Sequence, residues 1–466
     1  MVSQYSSWFV IQTTQHDPRA TLLYPLMRLQ GIHVIDGFCC FMTTEHGQAE
    51  CDRIADAFEH ALKALQAVGI LAPQQDVVAD PVNVPPVAKS APAGPVPLTE
   101  SLREIWMTHQ LGDLPAASFN ESTSVRLSGS LNVTALHDAL EALIARHDAL
   151  RNLLRQDAAS PLDIVAGAPI RMQLARLSDT EHVLILTAHH IACDGWFYNT
   201  LLTELAALYT AQTTGQSADL PPAPSFSAYA IDRQTQGTDD QTRDFWQGVY
   251  KTIPELLDLP TDRPRAEVKS FPGATATAHI GIDVLKPARL AGAKNGCTLF
   301  GALFAALQIT LGRLSNTGDV VLGVPTGGQT LLEDQSLVGH CVNFLPIRAA
   351  FDPAESVKAH FARVAAATRD ALEHSDYTLG SLVRDQNTPR TLSRLLLTEV
   401  QYILESLPED LAFGGATAAI SPNPKSAVNF DLFFNMIQSR AGLRIDVDYN
   451  TDLFDQGTVE RWVSHF

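Results

Sequence analysis

Seven prolines fall between residues 73 and 97, with alanine and valine filling many of the gaps between them. Each proline fixes its own φ and removes a backbone donor, so neither a helix nor a central strand can run through this stretch. It reads as a semi-extended linker. The 466-residue chain is thereby cut into a short N-terminal piece and a long remainder. At a soft prior of about 150 residues per domain, the whole has room for roughly three core-forming units.

In the N-terminal piece, residues 31–42 are apolar and rich in β-formers. A helix is expected to start at residues 45–49 and to carry a stripe of Ile54, Phe58, Leu62 and Leu65, with Gly69 as its stop. One strand region and one helix over about 70 residues make a thin core. The expectation is that this apolar face has no cover within its own segment and docks on the rest of the chain.

Beyond the linker, strand and helix patterns alternate to the C-terminus. Asn132 is placed to cap a helix with the face Val133, Leu136, Leu140, Leu143 and Ile144. Residues 182–188 (HVLILTA) form a buried strand, and Leu201, Leu205 and Leu208 mark the helix after it. A second half opens near Thr275. Its helices carry Leu299, Leu303, Leu307 and Leu311, then Val357, Phe361, Val364 and Leu372. Leu443, Ile445, Val447 and Tyr449 alternate with Arg444, Asp446 and Asp448, which predicts a half-buried strand. Two α/β lobes are expected.

Composition excludes several functions. The net charge of −18 argues against nucleic acid, whose phosphates require clustered Lys and Arg. No apolar run approaches the ~20 residues of a membrane helix, and residues 1–16 lack the layout of a secretion signal. A soluble, cytoplasmic protein that does not engage membrane is expected. Cys39, Cys40, Cys51, Cys193, Cys297 and Cys341 show no metal-like spacing, so reduced thiols and no metal site are expected.

The most informative segment is Ala188-His189-His190-Ile191-Ala192-Cys193-Asp194-Gly195-Trp196. It puts two histidines at the exit of a buried strand, an acid four residues after the second, then a glycine. Histidine handles protons near neutral pH. An amine attacking a thioester sheds a proton as its bond forms, and an imidazole is suited to take or hold it. Asp194 can brace the loop by pairing with a cation, and Gly195 lets a reacting chain approach the backbone. A lone HxxxD would read as a surface turn or an incidental metal clip. The strand before it and the helix after it favour the catalytic reading.

HHIACDGW resembles the signature of condensation domains of nonribosomal peptide synthetases. Further segments agree in order: Leu98-Thr99-Glu100-Ser101 with Ile105-Trp106, and Arg146-His147-Asp148-Ala149-Leu150-Arg151. They continue with residues 225–232 (SFSAYAID), Phe245-Trp246, residues 257–264 (LDLPTDRP), 319–328 (DVVLGVPTGG), 338–348 (VGHCVNFLPIR) and 429–432. The resemblance spans residues 97–466 and implies a fold similar to chloramphenicol acetyltransferase, with two lobes in a V and a central tunnel. Residues 98–266 would form the N-lobe and 267–466 the C-lobe. It implies amide formation between a donor acyl thioester on an upstream acyl or peptidyl carrier protein and an aminoacyl thioester on a downstream peptidyl carrier. The 4'-phosphopantetheine belongs to those carriers, with no cofactor bound by the domain itself. His190 would be the central catalytic residue, acting as general base or as a positioner of the amine. His189, Asp194 and Gly195 would complete the catalytic set, with Trp196, Asn343 and Arg348 as tunnel residues. Where relatives carry arginine this chain has Gln329, so another cation, Arg348 for one, would pair with Asp194. The motif lacks the DxxxxD of heterocyclising relatives and the Ser-Trp of epimerising ones, which favours plain condensation.

Residues 31–37 (GIHVIDG), the turn at 43–46 and the helix at 51–62 resemble the C-terminal end of a class III, pyridoxal-phosphate-dependent aminotransferase. The piece's single lysine, Lys63, lies late on the helix, so no Schiff-base lysine is supplied. Residues 1–72 would then be an inert α+β appendage, the tail of an adjacent aminotransferase domain in a hybrid polyketide–peptide assembly line. The donor would be polyketide-derived or β-aminoacyl. The rival readings are a coenzyme A-dependent HxxxD acyltransferase and a non-catalytic condensation-like recruitment platform.

Overall fold

The computed structural model describes residues 2–5, 8–11, 22–32, 40–41, 48–67, 98–150, 170–235, 239–327, 336–386 and 391–466. The Pro-rich linker, Gln329, Arg151, most of the GIHVIDG segment and the turn at 43–46 lie outside these residues. The chain divides into two compact units, one built on the described residues before position 68 and one on those from 98 onward.

In the first unit, β1 (Val2–Tyr5) and β2 (Trp8–Ile11) pair antiparallel, and β3 (Cys40–Phe41) adds to β2. The expected long helix runs from Gln48 to Ala67. A second helix, Leu23–Leu29, corrects the expectation of an uncovered face. Leu23 and Met27 bury against Ala61 and Leu65, with Phe58 and Leu62 at the margin. Pro25 is accommodated in this helix. It stands in the first turn, where its missing N–H would have no partner in any case.

The second unit holds two sheets. β4 (Asn120–Ser128), β5 (Ile170–Arg176) and β6 (Glu181–His189) begin the first. β7 (Gly273–Gly281), β8 (Val321–Gly327), β9 (Val342–Arg348) and β10 (Val400–Glu405) belong to the second. The chain then returns to the first sheet with β11 (Ala412–Phe413) and β12 (Ala416–Pro422), before β13 (Leu432–Ser439) and β14 (Gly442–Asn450) complete the second. The orders are β11-β12-β4-β6-β5, antiparallel throughout, and β7-β14-β13-β10-β8-β9, with β13, β10 and β8 parallel. Two α/β lobes are therefore present, and a pair of strands from the later half completes the first sheet.

The cap expected at Asn132 is present, and Thr99 supplies another. Thr99 accepts from the amide of Leu102 at 3.3 Å, and Asn132 from that of Ala135 at 3.1 Å. The Arg-His-Asp run is structural. Arg146 and His147 both bond Glu204, while Asp148 accepts from the amides of Phe226 and Ser227 and so caps helix Phe226–Thr235. Helix Leu299–Leu314 is the second lobe's buried spine, with Phe304, Leu307 and Leu311 fully enclosed. Among the described residues no single helix is long and apolar enough to cross a membrane. None of their His, Cys, Asp and Glu side chains cluster to hold a metal ion.

β14 departs from the half-buried pattern. It lies inside the second sheet, between β7 and β13, and Asp446 and Asp448 are buried. Their carboxylates accept from the hydroxyls of Thr277 and Thr275, directly across on β7. A polar row that predicts exposure instead faces a polar interior.

Candidate active site

β6 delivers the motif: it is held between β4 and the edge strand β5, and it ends at His189. The chain then turns through His190–Gly195 and enters helix Phe197–Thr214. The turn is pinned by the amide of His190 donating to the carbonyl of Phe119 at 2.8 Å, and that of Ala192 to His189 at 2.9 Å. His190 is thus carried out of the sheet with its ring half-buried, facing a cavity of about 550 Å³. Both lobes line this cavity: Glu121, His190, Gly195 and Trp196 from one side, Asn343 and Glu405 from the other.

The imidazole of His190 is held at both nitrogens. Nδ1 lies 3.0 Å from the carbonyl oxygen of Cys193, and Nε2 lies 3.1 Å from Oε1 of Glu121. Lys425, in the connection from β12 to β13, donates to the same Glu121 oxygen. Burial alone would raise the Glu121 pKa, but Lys425 and His190 hold it down at about 2. Glu405 shows the opposite balance. Burial first, then the carboxylates of Glu121 and Asp446, push it up to about 7 against the hydrogen bond of Asn435 and the charge of Lys425. Asp448 is raised by burial to about 6.

His189 turns the other way. Its Nδ1 accepts from the amide of Ile191 at 3.1 Å, and its ring meets His109 edge-on at 5.5 Å between centroids. Burial, reinforced by His190 and His109, lowers its pKa to about 4, so it is neutral at physiological pH. His340 reaches the site from the second lobe, with Nδ1 at 3.3 Å from the Cys193 carbonyl and its ring 5.7 Å from that of His190. Burial and the neighbouring His190 lower its pKa to about 3.

Asp194 is fully buried. Its carboxylate accepts from the amide of Phe197 at 3.2 Å and from that of Cys341 at 3.0 Å, and so joins the helix of one lobe to the backbone of the other. Arg348 plays no part in this. It stands at the far end of β9, forked onto Asp319 at 2.8 and 2.6 Å and onto the carbonyls of Val249 and Thr252. The expectation of Arg348 as the partner of Asp194 or as a cavity residue is corrected: the Asp319 carboxylate, two residues before β8, captures the guanidinium. Trp196 and Asn343 do line the cavity, although the Asn343 amide is committed to the carbonyls of Ser375 and Tyr377. Gly195 lines it too, with Oε2 of Glu405 3.8 Å from where a Cβ would stand.

Glu121, Lys425, Glu405 and His340 were not legible as site residues. Glu121 is a single acid in a strand, and its register opposite Ala188, two residues before His190, becomes visible only when β4 pairs with β6.

With this geometry in place, comparison with known proteins is decisive. The family model for condensation domains matches residues 152–466. The chain belongs to the condensation-domain family. Relatives include malpinin synthetase of Mortierella alpina, 29% identical over 79% of this chain but only 5% of that protein. Surfactin synthase subunit 1 of Bacillus subtilis is 26% identical over 79% of this chain and 11% of its own length. The chain thus spans about a tenth or less of the length of these curated relatives. Among solved structures, the X-domain from teicoplanin biosynthesis in complex with OxyB matches at a TM-score of 0.68 and 24% identity, covering 81% of this chain and 93% of that one. The starter condensation domain of rhizomide synthetase matches at 0.67 and 20%, covering 79% and 91%. These likenesses establish the two-lobed fold.

Proposed function

We propose that this condensation domain forms amide bonds as part of a nonribosomal peptide assembly line in the cytoplasm. An upstream acyl or peptidyl carrier presents the donor thioester, and a downstream peptidyl carrier presents the amine of its aminoacyl thioester. The thioesters ride on the carriers' 4'-phosphopantetheine arms, and the domain uses no cofactor of its own. The observation that carries this reading is His190, braced at the mouth of the HHxxxDG turn and facing a cavity walled by both lobes. Proton transfer by a positioned imidazole contributes typically ~10²–10⁴-fold to such chemistry. Asp194 holds the turn, and His189, neutral and turned into packing, supports it.

The donor is polyketide-derived or β-aminoacyl, delivered next to an aminotransferase whose C-terminal end survives in residues 1–72. The support is the resemblance of that piece together with its lack of a cofactor-capturing lysine. One relative of the same fold was solved with OxyB bound, which keeps a non-catalytic recruiting role in view; an intact, cavity-facing His190 favours catalysis. The full chain, mixed with donor carriers loaded with β-aminoacyl or plain acyl chains and an aminoacyl acceptor carrier, should yield amide on the acceptor, fastest with the β-aminoacyl donor. Equal or faster use of plain acyl chains contradicts the donor assignment, and no product with any donor contradicts catalysis.

A further inference from the structure

The carboxylate against His190 is too well fixed to be incidental. Glu121 sits in mid-sheet, its own backbone carbonyl accepting from the Tyr198 hydroxyl at 2.7 Å, and its side chain is clamped by Lys425. A carbonyl oxygen only accepts, so the Nδ1 contact with Cys193 requires the hydrogen on Nδ1 and turns Nε2 to Glu121. An ionised carboxylate also only accepts. The Glu121 contact is therefore completed when Nε2 carries a proton too.

We propose that Glu121 is a positioning residue of the condensation reaction, acting through His190. The inference rests on the amide-forming reading above. In aminolysis the amine nitrogen bonds to the thioester carbonyl carbon and the carbon–sulfur bond breaks. One amine proton is released, and the departing thiolate takes one up. An imidazole that carries the proton on Nε2 between these events is a cation. A fixed carboxylate 3.1 Å away holds its ring in place and stabilises that charged form. Lys425 in turn keeps Glu121 from swinging away from the ring or binding the amine in its stead.

The test uses the full chain with loaded donor and acceptor carriers. Glu121→Gln preserves shape and an acceptor oxygen but removes the charge. The rate at saturating acceptor carrier should fall ~10-fold or more, with KM for that carrier unchanged. In a His190→Ala background the same substitution should cost nothing further, because the ring it acts through is gone. If Glu121→Gln fails to fold because Lys425 is left uncompensated, Glu121→Gln/Lys425→Met removes both charges and is read in the same assay. An undiminished rate, a raised KM at constant rate, or a further loss on top of His190→Ala overturns the proposal. A wild-type chain that makes no amide overturns the amide-forming reading instead.

Discussion

Two glutamates facing one cavity differ in acidity by what surrounds them, and that difference is measurable. Against the effect of burial, Lys425 and His190 hold Glu121 at about 2, while burial and nearby carboxylates raise Glu405 to about 7. An unfolded glutamate titrates near 4.5. Glu405 thus holds its proton in the fold over a range where the unfolded chain has lost it. Its contribution to stability is full below about 4.5 and is lost as pH rises through about 7. Glu405→Gln should accordingly be more stable than wild type at pH 8 in urea unfolding, with the advantage shrinking as pH falls toward 4.5. A gap independent of pH would contradict this. None of it was readable from the residue string, because a lone Glu at a strand end carries no sign of the charges folded around it. The placement of His190 was legible, by contrast, because the strand that ends at His189, the motif spacing and the helix that opens at Phe197 follow one another directly in the chain.

The HHxxxDG turn works because one short loop joins two larger elements. Asp194 accepts amide hydrogens from Phe197, in the first turn of the following helix, and from Cys341, just before β9. Asp194→Ala takes this acceptor from the buried Cys341 N–H, at roughly 1–3 kcal/mol for an unmatched buried donor, while the Phe197 N–H keeps its bond to the backbone carbonyl of residue 194. The thermal midpoint and the condensation rate should therefore fall together. A variant as stable as wild type but inactive would instead move Asp194 into the direct chemistry. Local signals found this helix and its neighbours, since caps such as Asn132 and stripes such as Leu299 to Leu311 depend on adjacent residues alone. β14 was misread for the complementary reason. Period-two alternation reports two unlike faces, and only tertiary pairing shows that the polar face of Asp446 and Asp448 meets Thr277 and Thr275 rather than water.

At the scale of the molecule, the ordered motifs specified the two-lobed fold, and the family match over residues 152–466 agrees with them. The return of β11 and β12 to the first sheet left no mark in the sequence, as a crossover is a matter of topology and not of residue pattern. The N-terminal unit shows the converse limit: the helix whose Leu23 and Met27 cover Ala61 and Leu65 has 7 residues, too few to display a helical period. The central claim, that His190 serves amide formation across the cavity between the lobes, is tested most directly by single-turnover mass spectrometry of loaded carriers with wild type and His190→Ala. Amide on the acceptor carrier should form with wild type and drop by ~10²–10⁴-fold in the variant, while the thermal midpoint stays unchanged. Product forming at the wild-type rate in correctly folded His190→Ala would contradict it.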